Sequence, residues 1–202
     1  HAGAAMVSGS VVAFAGESGR GKSTLAEYLN AATEGGWRRV ADDTLPVSFG
    51  PNGVVAHPHF PQLKLPAVEH YPLDAPASPP LAAVFVIGPR TTGQDAVSLQ
   101  RLGQRQAMQA LIRHTVAARL FHQTLLAAHF DFFAEAAARI PVWRLAYAHR
   151  REVLPQLRVE DGQIVLPSGT RYRVLEINGS PRFTPELAGI VQHGAIEMRG
   201  RI

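Results

Sequence analysis

Cysteine is absent from the 202 residues, which excludes disulfides and thiolate metal sites and leaves the redox compartment open. Lysine is nearly absent too: Lys22 and Lys64 are the only two, and almost every other cation is arginine. Long apolar runs are missing. None approaches the ~20 residues of a membrane span, and the longest, "LAAVFVIG" (81–88), reads as a buried strand. No secretory or transit pattern is visible. The chain opens on His1 rather than Met, as an excised piece would. Clustered cations with interleaved aromatics, the mark of a nucleic-acid surface, are also lacking. The arginines are scattered, as at Arg38 and Arg39, Arg101 and Arg105, Arg150 and Arg151, and Arg171 and Arg173. These absences leave a soluble, cytoplasmic protein that binds neither nucleic acid nor membrane as the expectation.

What is present suits a globular α/β protein. The apolar fraction is 46% and the formal net charge is +4, and the length fits one domain or one domain with an appendage. "AAMVSGSVVAFAG" reads as two strands around Ser8-Gly9, and 22–33 as a helix ending before Gly35-Gly36. "WRRVADD" reads as a strand ending in two acids. "LPVSFGPNGVVAH" has a hairpin pattern with Asn52-Gly53 at its turn. Residues 66–80 carry five prolines and cannot be regular. Strands follow at 81–87 and 97–101. Two helices come next, with apolar faces expected at Met108, Leu111, Ile112 and Val116 in the first and at Leu125, Leu126, Phe130 and Phe133 in the second. "PVWRLAYAH" reads as a strand and 150–157 as a short helix. "GQIVLPSGTRYRVLEI" reads as a hairpin and "TPELAGIVQHG" as a last short helix.

The first lysine explains its own survival. "GESGRGKST" (16–24) fits G-x-x-x-x-G-K-[ST], through Gly16, Gly21, Lys22 and Ser23, between an apolar strand and a helix. In that setting glycines let backbone N–H groups turn toward an anion, and the helix points its positive end at the same spot. A lysine fits the slot as a compact point charge where arginine's planar fork would not. A serine hydroxyl can meet Mg2+. Adjacent Asp42 and Asp43 end the next strand, where the crossover should return them near a terminal phosphate. One carboxylate can complete a Mg2+ shell and the other can accept a proton from an attacking hydroxyl. "DDT" is equally good turn chemistry.

Other polar residues are read as background. Lys64, in "FPQLKLP", is read as a surface residue, and Arg20 as turned outward from the loop. Arg90, Arg101, Arg105 and Arg113 are candidates to meet transition-state charge. His57 and His59 form an H-x-H without a third ligand, His114, His122 and His129 sit on helices, and Phe130, Phe132 and Phe133 are read as core.

The stretch "HAGAAMVSGSVVAFAGESGRGKSTLAEYLN…WRRVADDTLPV" resembles the catalytic core of the HPr kinase/phosphorylase family and its smaller serine-kinase relatives, some associated with lasso-peptide biosynthesis. "VVAHPHFPQLKLP", "PLAAVFVIGP", "AMQALIRHTVAARL" and "IPVWRLAYAHRREVLPQL" extend the resemblance over about 1–158, leaving 159–202 as a β-rich extension of unknown role. The resemblance implies a mixed sheet like that of the phosphoenolpyruvate carboxykinase group, with ATP- and Mg2+-dependent phosphate transfer to a serine on a protein or peptide. It implies that Gly16, Glu17, Ser18, Gly19, Arg20, Gly21, Lys22, Ser23 and Thr24 hold ATP. It makes Asp42 the general base, has Asp43 join Ser23 at the metal, and sets His1 near the phosphates. It also implies possible homo-oligomers. The family's E-x-R-G segment does not follow the double aspartate; "IEMRG" (196–200) has the letters in the wrong place along the chain. Phosphorylase activity, and HPr as the acceptor, are therefore not carried over. A small-molecule kinase and a nucleotide-binding module without turnover remain as alternatives.

Overall fold

The structure is a computed structural model. It describes residues 1–31, 36–60, 62, 64–89, 97–116 and 118–147, with three short strands between 158 and 173. Arg90, the expected helices at 150–157 and in "TPELAGIVQHG", and "IEMRG" lie outside the described residues.

The chain starts with a hairpin. β1 (Ala2–Val7) pairs antiparallel with β2 (Ser10–Ala15). Ser8 and Gly9 turn at φ 53° and 75°, the two positive values that a tight hairpin turn matching the strand twist requires. α1 (Lys22–Ala31) follows the loop, and β3 (Arg38–Ala41) then pairs antiparallel with β1. β4 (Val47–Gly50) and β5 (Gly53–Ala56) form a separate hairpin. Its turn falls on Pro51-Asn52 rather than Asn52-Gly53. Proline fixes φ near −65°, so only Gly53 takes a positive value, 131°. Residues 66–80 hold one 3-10 turn, Ala67–Glu69, and are otherwise irregular.

β6 (Leu81–Ile87), β7 (Ser98–Arg101), α2 (Gln104–Arg113), α3 (Gln123–Arg139) and β8 (Val142–Ala146) complete the body. The six-stranded sheet runs β3-β1-β2-β6-β8-β7, with β2, β6 and β8 parallel and β1 and β7 antiparallel to their neighbours. It is therefore mixed, as expected for this α/β chain. β3 does not return beside β2: β1 lies between them. The two antiparallel steps still point β3 the same way as β2, so both strands deliver their C-terminal ends to one edge of the sheet.

Strand alternation sends side chains to two cores. Val12, Phe14 and Phe85 pack with Leu25, Ala26 and Leu29 of α1. Val11, Ala13 and Val84 pack with Leu111 of α2 and Ala136 of α3. β2 is buried at every residue, as a central strand covered on both faces must be. The expected apolar face of α3 is buried only in part: Phe133 is half-buried and packs against the second core. Leu125, Leu126 and Phe130 are exposed, whereas Ala136 and Ala137 are buried. The helix approaches the sheet where its side chains are smallest. α2 ends at Arg113, capped by His114, short of the expected Val116, which is exposed. β9 (Arg158–Glu160), β10 (Gln163–Val165) and β11 (Arg171–Arg173) form a second, antiparallel sheet; its β10–β11 pair is the expected late hairpin. Among the described residues no helix is long and apolar enough to cross a membrane.

Candidate functional site

The loop between β2 and α1 meets the end of β3 at one sheet edge. Gly19 and Gly21 take φ 76° and 87°, left-handed values that side-chain-bearing residues avoid. Gly21 also has no room: a Cβ there would lie 2.7 Å from the Tyr147 hydroxyl. Tyr147 is buried, and burial pushes its phenol up to about 12. The first turn of α1 contains no acidic residue, so no side chain there offsets its positive end.

Lys22 is 6% exposed. Its Nζ donates to the carbonyls of Gly16 and Glu17, both at 3.0 Å. The cation is thus folded back under the loop that carries it. Burial lowers its pKa, opposed by the charges of Asp43 and Asp42 and aided by that of Lys64.

Ser23 Oγ donates to Asp42 Oδ1 at 2.6 Å. This contact joins the loop to the acid pair. The acid in contact with Ser23 is Asp42. Asp43 faces two other groups: its Oδ1 lies 2.5 Å from His1 Nε2, and its Oδ2 accepts from Lys64 Nζ at 2.6 Å. Asp43 has φ 81°, a costly value for a residue with a side chain. The Ala2 amide donates to the Asp43 carbonyl at 3.1 Å, which helps hold this turn. The Lys64 hydrogen bond holds the Asp43 carboxyl below its ordinary range, and His1 adds to the effect.

Lys64 was missed by sequence reasoning as part of this cluster. It is held there by its neighbours. Gln62 is 8% exposed; its Oε1 accepts from the Asp42 amide at 2.9 Å, and its Nε2 donates to the Thr44 and Phe60 carbonyls at 3.0 and 3.1 Å. Leu65 is buried in turn. The segment is stapled to the end of β3, and Lys64 is handed to Asp43. The scarcity of lysine was the available signal: one of the two lysines lies under the loop and the other pairs with Asp43.

The loop's outer side carries its own network. Glu17 accepts from Arg20 at 3.3 Å and from Arg113 at 2.8 Å, and these cations hold its carboxyl below the ordinary value, Arg20 first. Arg20 therefore turns to Glu17, as expected. Ser18 is exposed and Thr24 half-buried at the start of α1. Among the candidate arginines that are described, Arg113, at the end of α2, reaches the loop. Arg105 lies at the other end of α2, and Arg101 pairs in register with Trp143 at the far edge of the sheet. His57 Nε2 lies 2.8 Å from Ser48 Oγ, and His59 packs edge-on against Tyr71, so the H-x-H is engaged locally. His122 caps α3, and His129 lies 2.7 Å from Thr115 Oγ1. A cavity of about 80 Å³ runs beneath His1 and His114, between alanines of β2 and the helices; its apolar lining suits no phosphate.

No protein-family model matches this chain, and no curated protein matches it. A solved structure, the HPr(Ser) kinase/phosphatase from Coxiella burnetii, is similar at 13% identity over 77% of this chain and 87% of its own, with a TM-score of 0.36. At that level the likeness adds no argument about chemistry.

Proposed function

We propose that this chain is an ATP- and Mg2+-dependent kinase that transfers the γ-phosphate to a serine hydroxyl of a protein or peptide. The observation that carries the reading is the 2.6 Å contact between Ser23 of the loop and Asp42 of the acid pair, beside buried Lys22. An anion cradle alone would need no acid at its mouth. An acid pair alone would need no buried lysine. The serine acceptor rests on the sequence resemblance to the short serine kinases.

The residues divide the work. The loop amides and Lys22 would bind the β- and γ-phosphates. Lys22 would exchange its two carbonyl contacts for phosphate oxygens. Asp42 accepts the proton of the incoming hydroxyl, whose oxygen attacks the γ-phosphorus while the bond to the β-γ bridging oxygen breaks and ADP leaves. Asp43, held between His1 and Lys64, is the fixed counter-charge of the site. The donors at the mouth, a hydroxyl and carboxylates, fit a hard cation that keeps several waters. Ser23 and Asp43 would hold Mg2+, which would neutralise phosphate charge, leaving Asp42 as the base. Among the described residues no group of three or more His, Cys, Asp or Glu is placed to hold a metal ion, so Mg2+ would take most of its ligands from phosphate oxygens and water.

The test is label transfer from γ-labelled ATP to candidate seryl peptides and proteins, beside ATP binding. Asp42→Asn should lower transfer at least about 100-fold and leave ATP binding within about twofold. ATP binding with neither transfer nor hydrolysis would favour a regulatory module. Transfer to small hydroxyl compounds alone would favour a small-molecule kinase.

A further inference from the structure

We propose that Lys64 is a second phosphate cation of this site, placed to meet the terminal phosphate of a nucleoside triphosphate and so to set its preference over the diphosphate. This rests on the reading of the loop as a nucleotide site.

The placement is built. Gln62 bonds the Asp42 amide and the Thr44 carbonyl on either side of the acid pair and the Phe60 carbonyl of its own segment, and Leu65 is buried beyond it. Between these anchors Lys64 stays 63% exposed and reaches Asp43 at 2.6 Å. An exposed pair of this kind contributes little to stability, so the anchoring needs another use. A terminal phosphate arriving beside Asp42 and Asp43 meets two like charges. Lys22, at the base of the loop, would be shared between the β- and γ-phosphates. An ammonium has three donors, so Lys64 can keep Asp43 with one and meet a phosphate oxygen with another. The nearby alternative, Arg113, is drawn off by Glu17 on the outer side of the loop.

Selectivity separates this role from simple support of Asp43. Calorimetric titrations of the full chain with Mg2+ and either ADP or a non-hydrolysable ATP analogue would compare wild type, Lys64→Ala, Gln62→Ala and Lys22→Ala. Lys64→Ala should weaken the triphosphate analogue about five- to tenfold and ADP by less than about twofold, from one lost charge-assisted contact in a partly solvated setting. Gln62→Ala, with its fold checked by circular dichroism, should reproduce part of that selective loss. Lys22→Ala should weaken both ligands. Equal losses for the two ligands in Lys64→Ala, or no loss, overturn the role of Lys64 while leaving the nucleotide reading intact. A wild-type chain that binds neither ligand overturns the nucleotide reading and this inference together.

Discussion

Gly21→Ala tests why the loop has its shape. At φ 87° a Cβ costs roughly 1–2 kcal/mol in backbone strain. The same Cβ would stand 2.7 Å from the hydroxyl of buried Tyr147, an overpacked contact that costs about 1–3 kcal/mol more. The total is about 2–5 kcal/mol. For a domain of this size that corresponds to a fall in Tm of roughly 5–15 °C, which thermal unfolding followed by circular dichroism would resolve. Tyr147→Phe separates the two causes. It removes the nearest atom, with the next ring atom 3.8 Å away, so Gly21→Ala should cost about 1–2 kcal/mol less in that background. The strain part should remain. ATP affinity should fall with the loop's geometry in the single variant. A Gly21→Ala protein melting within 2 °C of wild type, roughly the shift from half a kcal/mol, would refute the reasoning about the loop. An identical cost in the Tyr147→Phe background would refute the clash.

Two other predictions concern ion pairs. Arg39 Nε donates to Glu69 at 2.7 Å with its own side chain 9% exposed. Glu69→Ala strands a nearly buried cation and should destabilise by about 2–4 kcal/mol, read as a shifted denaturant midpoint, with Glu69→Gln costing less. The Asp43 carboxyl is depressed by Lys64 and His1. Its contribution is present above the ordinary carboxylate pKa and is lost as pH falls through the depressed value. Thermal melts between pH 6 and pH 2 should therefore show a shallower acid loss for Asp43→Asn than for wild type. The raised Lys64 pKa acts at the other end: its contribution is present below the ordinary lysine value and lost as pH climbs through the raised one. Because the pair is exposed the change in the melts is small, and an Asp43 carboxyl that titrates at its ordinary value by NMR would contradict the pairing.

Local features were legible in the sequence, and assembled ones were not. The loop at 16–23, the Ser8-Gly9 hairpin and the strand running into Asp42 are written in consecutive residues. Strand order is not. The insertion of β1 between β2 and β3 depends on two successive antiparallel pairings, and the pattern of β3 alone fits either neighbour. The helices show a second limit. Periodicity marks apolar residues but does not say which approach the sheet. In α3 the close approach selected Ala136 and Ala137 and left Leu125, Leu126 and Phe130 exposed. Lys64 shows a third. It reaches Asp43 through the hydrogen bonds of Gln62, whose partners at Asp42 and Thr44 lie 20 and 18 residues away along the chain, and no spacing rule reports such a staple.

The central claim is that one terminal phosphate fits between Lys22 and the acids Asp42 and Asp43. A crystal structure with Mg2+ and a non-hydrolysable ATP analogue measures this directly. The account predicts the inner phosphates on the amides of the 16–23 loop, with the terminal phosphate within a side chain's reach of both Lys22 and Asp42. Density for the triphosphate elsewhere, or a terminal phosphate pointing away from the acid pair, would contradict it.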